Sequence, residues 1–212
     1  QEHPKVSAFM EKDNGLYHAR NKGILKATGD ILGFLNTDDF YEEDALMNIY
    51  ECFKKNTNVD VVYGLNKVVS KSGEILKKNK YTEFEKQKRI QKYIALPDQS
   101  TFIRRRNIEY VGLYDSTFSI VSDWDFWQRA MVLNLKFKSI DFYIANYRIY
   151  DGTLTYSPEF TFTRYMEVKR LYRKYNDVLI SRFLLKHYFR HYVKRPLKNI
   201  TPLEKIYRMI KK

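Results

Sequence analysis

Apolar residues recur with two periods along this chain, and the switches between them mark out its elements. Val6–Met10 carries the apolar content of a short strand, and Asn14-Gly15 behind it predicts a turn that admits positive φ. Leu16 to Ala27 fits a helix closed by Gly29 at a C′ position. Ile31–Leu35 is an unbroken apolar run, the pattern of a strand buried on both faces. A helix beginning near Glu42 is predicted to set Ala45, Leu46, Ile49, Tyr50 and Phe53 on one face. Val59–Leu65 predicts a second, β-branched strand, and Lys67–Ser70 with Glu74–Lys77 a hairpin around Lys71-Ser72-Gly73.

Farther along, residues 83 to 95 are polar with helical character, Ser100–Ile103 predicts a strand, and Arg106–Val111 a helix. Ser122–Leu133 predicts a helix with Ser or Asp at its N-cap, and Phe142–Tyr150 a strand. From Ser157 the pattern is helical nearly to the end, interrupted at Pro196 and Pro202. Strands alternating with helices up to about residue 150 predict an α/β fold with a largely parallel sheet.

Composition narrows the class. With 212 residues, 44% hydrophobic and 16% aromatic, the chain is long and apolar enough for one core plus an appendage, which excludes a disordered protein. No apolar run approaches the roughly 18 residues of a membrane span, and no signal peptide is recognisable. A single cysteine, Cys52, cannot close an internal disulfide, so a reducing cytoplasm is the expected compartment.

The net charge of +13 is unevenly placed. From residue 161 onward there are 15 Lys and Arg against 3 Asp and Glu, whereas the first 160 residues carry 23 against 22. Residues 178–195 set Leu179, Phe183, Leu184, Tyr188 and Tyr192 beside Arg182, Lys186, Arg190 and Lys194. That is a basic amphipathic helix, suited either to an anionic membrane surface or to packing on the body of the protein. His187 and His191 share a helix face at zinc-chelating spacing, but no third ligand stands near them, which favours a surface or packing role. A nucleic-acid binder using this tail is the competing functional class; the near-neutral body and the lack of a recognised binding motif count against it.

Three segments carry candidate chemistry. Asn36-Thr37-Asp38-Asp39 follows a predicted strand, and in open α/β sheets ligands bind at the carboxyl ends of strands. Adjacent carboxylates there concentrate charge suited to Mg²⁺ or Mn²⁺ and a diphosphate, although Thr37 or Asp39 equally suits a helix cap. Ser122-Asp123-Trp124-Asp125-Phe126-Trp127 places a carboxylate among aromatics at a helix start. Burial there would raise its proton affinity and the helix terminus would lower it, and a cap ahead of core aromatics explains the residues too. Asp13-Asn14-Gly15-Leu16-Tyr17 is a tight turn into a helix, with small residues that permit close approach of a ligand or another backbone.

In order and context these segments resemble the family 2 glycosyltransferases of bacterial polysaccharide assembly, notably the colanic-acid and capsule type. The resemblance lies in residues 11–46 (EKDNGLYHARNKGILKATGDILGFLNTDDFYEEDAL), 59–76, 98–105 and 111–129, and runs from about residue 5 to 155. It implies a GT-A (Rossmann-like) fold with a mostly parallel sheet flanked by helices, in a catalytic portion 1–155 followed by a basic helical extension 156–212. It further implies Asp39 and Asp38 as holders of Mg²⁺ or Mn²⁺, with Asp38 also touching the ribose or donor sugar. Asp13, Gly15 and Tyr17 would lie on the nucleotide side, and Asp123 would deprotonate the acceptor. The expected reaction moves a sugar, with inversion, from a nucleoside-diphosphate sugar to a glycan or lipid-linked acceptor at the inner face of the membrane.

Several positions depart from the family pattern. Asn36 stands where many relatives have Asp, Asp98-Gln99 where His-Gln is common, and Tyr147–Thr155 contains no His. Few residues precede Asp13, so the chain reads as N-terminally short of the nucleoside-binding βαβ segment, with weak nucleotide-sugar binding or an inactive transferase as the expected consequence.

Overall fold

The computed structural model describes residues 6–80, 96–150, 153 and 160–175. In chain order the elements are α1 (Leu16–Lys26), β1 (Ile31–Gly33), β2 (Phe40–Tyr41), α2 (Ala45–Lys55), β3 (Val61–Val69) and β4 (Ile75–Asn79). They continue with β5 (Thr101–Arg104), α3 (Ile108–Val111), α4 (Ser122–Val132), β6 (Phe137–Arg148) and α5 (Thr161–Lys174).

Strand β3 organises the domain, because it is buried on both faces along nearly its whole length. Its side chains alternate between two cores, as the period of a strand requires. Val61 and Tyr63 join Tyr17 and Ile24 of α1, Leu32 of β1, Ile103 of β5, and Phe126 and Trp127 of α4. Val62 points the other way, into a cluster with Ala45, Ile49, Cys52 and Phe53 of α2 and Ile144 of β6. At Gly64 the neighbouring strand β6 leaves no room for a side chain: a Cβ there would lie 2.4 Å from Cγ1 of Ile144 and 2.8 Å from the Phe142 carbonyl oxygen. The β3–β6 register shifts at this point.

The strand order is β1-β5-β3-β6-β2, with β4 hairpinned onto β3. The α/β class holds, but the predicted mostly parallel sheet is corrected to a mixed one. Among the described strands only β3 and β6 run parallel, while β1–β5, β5–β3, β3–β4 and β2–β6 are antiparallel. Alternation of strands and helices implies parallel neighbours only when a helical crossover joins adjacent strands. Here β5 follows the β3–β4 hairpin in the chain and takes its place between β1 and β3, antiparallel to both.

Smaller differences have local causes. Val6–Met10 is exposed and forms no strand, since nothing in the described protein pairs with it. The run at Ile31–Leu35 shortens to a three-residue strand, and Leu35 is exposed. Helix α1 ends on Ala27 in an extended conformation, so Gly29 is not its left-handed C′ residue. In α2 the buried face rotates to Ala45, Ile49, Cys52 and Phe53, leaving Leu46 and Tyr50 more than half exposed. The predicted helix at 83–95, the amphipathic segment 178–195 and the His187/His191 pair lie outside the described residues.

Helix α5 packs on the loop that leads into α4. Val168 and Leu171 are buried against Phe118 and Val121. The Glu167 carboxylate accepts hydrogen bonds from three consecutive backbone N–H groups, Ser119 at 2.6 Å, Ile120 at 2.9 Å and Val121 at 3.2 Å. No side chain caps α4 at the expected Ser122 or Asp123; the cap residue is Val121, and a carboxylate from a distant helix orders the approach instead. Fully buried Asp125 ties the same two helices, accepting from Arg129 Nε at 2.9 Å, Lys174 Nζ at 2.8 Å and Tyr175 Oη at 2.9 Å.

Candidate active site

One edge of the sheet gathers the candidate residues. The carboxyl end of β1 leads into Asn36–Asp39, and the carboxyl end of β6 brings Arg148 beside them. Because β5 runs antiparallel to β1, with Gly33 opposite Phe102, its preceding turn Asp98–Ser100 comes to this same edge. The N-terminal turns of α1 and α4 add Tyr17, Arg20 and Asp123, joined where the Tyr17 hydroxyl meets the Asp123 carboxylate.

Asp39 is buried, at 7% exposure. Its Oδ1 accepts the Arg148 backbone N–H at 2.9 Å and its Oδ2 accepts the Asn36 amide at 3.0 Å. Burial pushes its proton affinity up, the Arg148 N–H offsets part of that, and the charge of Asp38 adds to the rise. Asp38 is more open; its Oδ2 accepts the Tyr150 hydroxyl at 3.2 Å, while its backbone carbonyl accepts Arg148 Nε at 2.8 Å. Arg148 thus braces the turn that aims both acids.

Asp123 stands at the second residue of α4 and is partly buried. Loss of hydration and then the nearby charge of Asp98 raise its pKa to about 7, against the opposing pull of Arg20 and the Tyr17 hydrogen bond. The Tyr17 hydroxyl lies 2.8 Å from the Ile120 carbonyl oxygen and 3.1 Å from Asp123 Oδ1. One hydroxyl proton faces two acceptors, so a proton on Asp123 can be accepted by the tyrosine oxygen while Tyr17 donates to Ile120.

Between the two ends sits Arg20. Its Nη1 is ion-paired with Asp98 and its Nη2 donates to Asn36 Oδ1 at 2.8 Å. Its guanidinium carbon lies 5.6 Å from the Tyr17 and Tyr114 ring centres and 5.8 Å from that of Phe34. Burial alone would weaken this cation, but Asp98, Tyr114, Asp123 and Tyr17 together hold its pKa above the ordinary value. Asp98 is buried at 4% exposure and also accepts Trp127 Nε1–H at 2.9 Å and the Tyr114 hydroxyl at 3.1 Å. An unbroken path therefore runs Asp39–Asn36–Arg20–Asp98, with Asp123 within the field of both charges of the ion pair.

Of the remaining sequence candidates, Asp13 and Gly15 stay exposed on their turn. Gly15 has φ +109°, and its N–H donates to Asp13 Oδ1 at 3.0 Å. Tyr17 is buried and turns its hydroxyl to Asp123. Among the described residues no three His, Cys, Asp or Glu side chains cluster as a metal cage. Asp38 and Asp39 alone suit a hard divalent cation that takes its other oxygens from water and substrate phosphate. Both Asp39 oxygens already accept a hydrogen bond, but each retains a further lone pair for a cation.

Residues 1–113 match the Glycosyl transferase family 2 sequence model, over half of the chain. The chain belongs to glycosyltransferase family 2. It is 27% identical to an uncharacterised glycosyltransferase of Methanocaldococcus jannaschii over 142 residues, covering 66% of this chain and 49% of that protein. It is 31% identical to a PGL/p-HBAD biosynthesis glycosyltransferase of Mycobacterium tuberculosis over 123 residues, covering 58% of this chain and 46% of the relative. The chain thus spans about half the length of these relatives. In fold it is similar to residues 1–349 of S. aureus TarS, a structure containing UDP-GlcNAc. The TM-score is 0.55 and the identity 16%, over 88% of this chain and 56% of that one.

Within this family 2 chain, sequence reasoning missed Arg20 and undervalued Asp98. Arg20 falls three residues after Tyr17, on the same face of α1, which is the signal that would have found it. Asp98 was visible only as a departure from His; its burial and its three donors belong to the tertiary structure. Among the described residues no helix is long and apolar enough to cross a membrane.

Proposed function

We propose that this chain carries the acids of an inverting, metal-dependent sugar transfer from a nucleoside-diphosphate sugar to a glycan or lipid-linked acceptor. The observation that carries this reading is the Arg20 guanidinium, which bonds to Asn36, itself a partner of Asp39, and to Asp98, whose charge acts on Asp123, so that one cation joins the two groups of acids. Family membership supports the reaction class. The UDP-GlcNAc in the S. aureus neighbour supports a nucleotide sugar as donor.

Asp123 is the base. Its raised proton affinity, with a pKa of about 7, suits taking a proton from an acceptor hydroxyl near neutral pH as that oxygen attacks the anomeric carbon. Tyr17 orients the carboxylate and shares its proton. Arg148 and Asn36 hold Asp39 in a fixed rotamer, and the more open Asp38 faces the donor's ribose or sugar. A Mg²⁺ or Mn²⁺ held by Asp39 and Asp38 would supply charge neutralisation for the departing diphosphate. Asp13 and Gly15 shape the exposed turn on the nucleotide side.

The test is a screen of UDP-, GDP- and TDP-sugars with Mg²⁺ or Mn²⁺ and glycan or lipid-linked acceptors. Asp39→Ala and Asp123→Asn serve as controls. Transfer that disappears with chelator and falls by about 10²-fold or more in each variant supports the reading. Full activity in Asp123→Asn removes the base from the mechanism.

A further inference from the structure

We propose that Asp98 is a positioning residue: it anchors the Arg20 guanidinium between Asn36 at the Asp39 end and Tyr17, the partner of Asp123, and through that ion pair sets the charge state of Asp123. The inference rests on the reading of Asp123 as the base.

The geometry separates Asp98 from the substrate. It is 4% exposed, one oxygen is occupied by Trp127 Nε1–H and the Tyr114 hydroxyl, and the other is paired with Arg20. Such a carboxylate is sealed by its donors and acts on the reaction only through what it holds. It holds a cation, wrapped by the rings of Tyr17, Phe34 and Tyr114. The guanidinium is thereby kept from swinging onto Asp123 as a direct partner; its recorded hydrogen bonds go to Asp98 and Asn36.

The consequence is a balance of opposing fields. The groups that act on Asp123 are Tyr17 and Arg20 from α1, Asp98 from the turn before β5, and the Trp124 backbone N–H of its own helix. Asp98 disfavours a second negative charge, and Arg20 favours it. Removing either member of the pair should therefore move Asp123 in opposite directions, a response that loss of packing alone cannot produce.

The experiment needs neither donor nor acceptor. The carboxyl carbons of the aspartates are labelled with ¹³C, and the Asp123 resonance is assigned by its loss in Asp123→Asn. It is then titrated by NMR in the wild-type chain, in Asp98→Asn and in Arg20→Gln. We expect the Asp123 midpoint to fall by about one pH unit or more in Asp98→Asn, where a like charge is lost and the cation is released. It should rise by a comparable amount in Arg20→Gln. The Trp127 indole N–H signal, one of two in the chain, confirms that the site remains folded in each variant and marks the loss of its Asp98 acceptor. If either variant does not fold, the other alone decides by the sign of its shift. A midpoint unchanged to within about 0.3 pH unit, or movement in the same direction in both, overturns the proposal. These titrations read the ion pair whether or not sugar transfer is found, so failure of the transfer assay and failure of this inference are separate results.

Discussion

Glu167 offers the sharpest test of how this domain holds Asp123 in place. It lies on α5, 44 residues beyond Asp123, yet its carboxylate takes the N–H groups of Ser119, Ile120 and Val121 at 2.6, 2.9 and 3.2 Å. The same stretch presents the Ile120 carbonyl to Tyr17 and then begins α4. Hydrogen bonds to an ionised acceptor each contribute roughly 1.5–3 kcal/mol, but three on one carboxylate share its charge and its desolvation cost. Glu167→Ala should therefore cost about 2–4 kcal/mol, the lower figure applying if water reaches the freed N–H groups. Glu167→Gln keeps one acceptor oxygen, loses the charge and turns an amide N–H₂ toward backbone donors, so roughly half that loss is expected. Urea unfolding followed by tryptophan fluorescence measures both, since Trp124 and Trp127 lie on α4 directly after the clamped loop. Exposed Glu109→Ala is the control and should stay within about 0.5 kcal/mol of wild type. A Glu167→Ala protein as stable as that control would mean that α5 rests on the loop without holding it.

Two further outcomes follow from the same geometry. Folded Asp123 keeps its proton up to a pH of about 7, whereas an ordinary carboxyl loses it near 3.8, so over that interval the folded state binds more protons than the unfolded one. Wild-type stability should fall as pH rises from about 4 to about 7, by at most a few kcal/mol at roughly 1.4 kcal/mol per unit. Asp123→Asn should lack this slope in denaturant titrations across the range; an identical slope in both proteins refutes the raised proton affinity. Where β3 pairs with β6, Gly64→Ala would press a methyl group to 2.4 Å from Ile144 Cγ1 and should destabilise by about 1–3 kcal/mol in thermal melts. Replacing solvent-facing Gly23, where an added Cβ meets nothing within 4 Å, should not.

Much of the architecture was legible because local pattern and final environment agree. The hairpin onto β4 and helices α1 and α4 fall where periodicity and turn residues put them, while the strand predicted at Val59–Leu65 and the hairpin arm predicted at Lys67–Ser70 form one continuous strand, Val61–Val69. The family was legible in the motifs around Asp38-Asp39 and Asp123. What tertiary structure alone decided is which residues face one another across long separations. The antiparallel entry of β5 carries Asp98 to the edge where Asp39 lies, and no local signal encodes that direction. Arg20 resembles a surface cation in sequence until a carboxylate 78 residues away neutralises it inside a ring of aromatics. The missing cap at Ser122 has the same origin, since Glu167 from another helix orders that approach. Hydrophobic period and turn chemistry act over a few residues and can be read from the chain. Charge pairing and desolvation act through space, and only the folded arrangement determines which acid is raised, which is neutralised and which stays open.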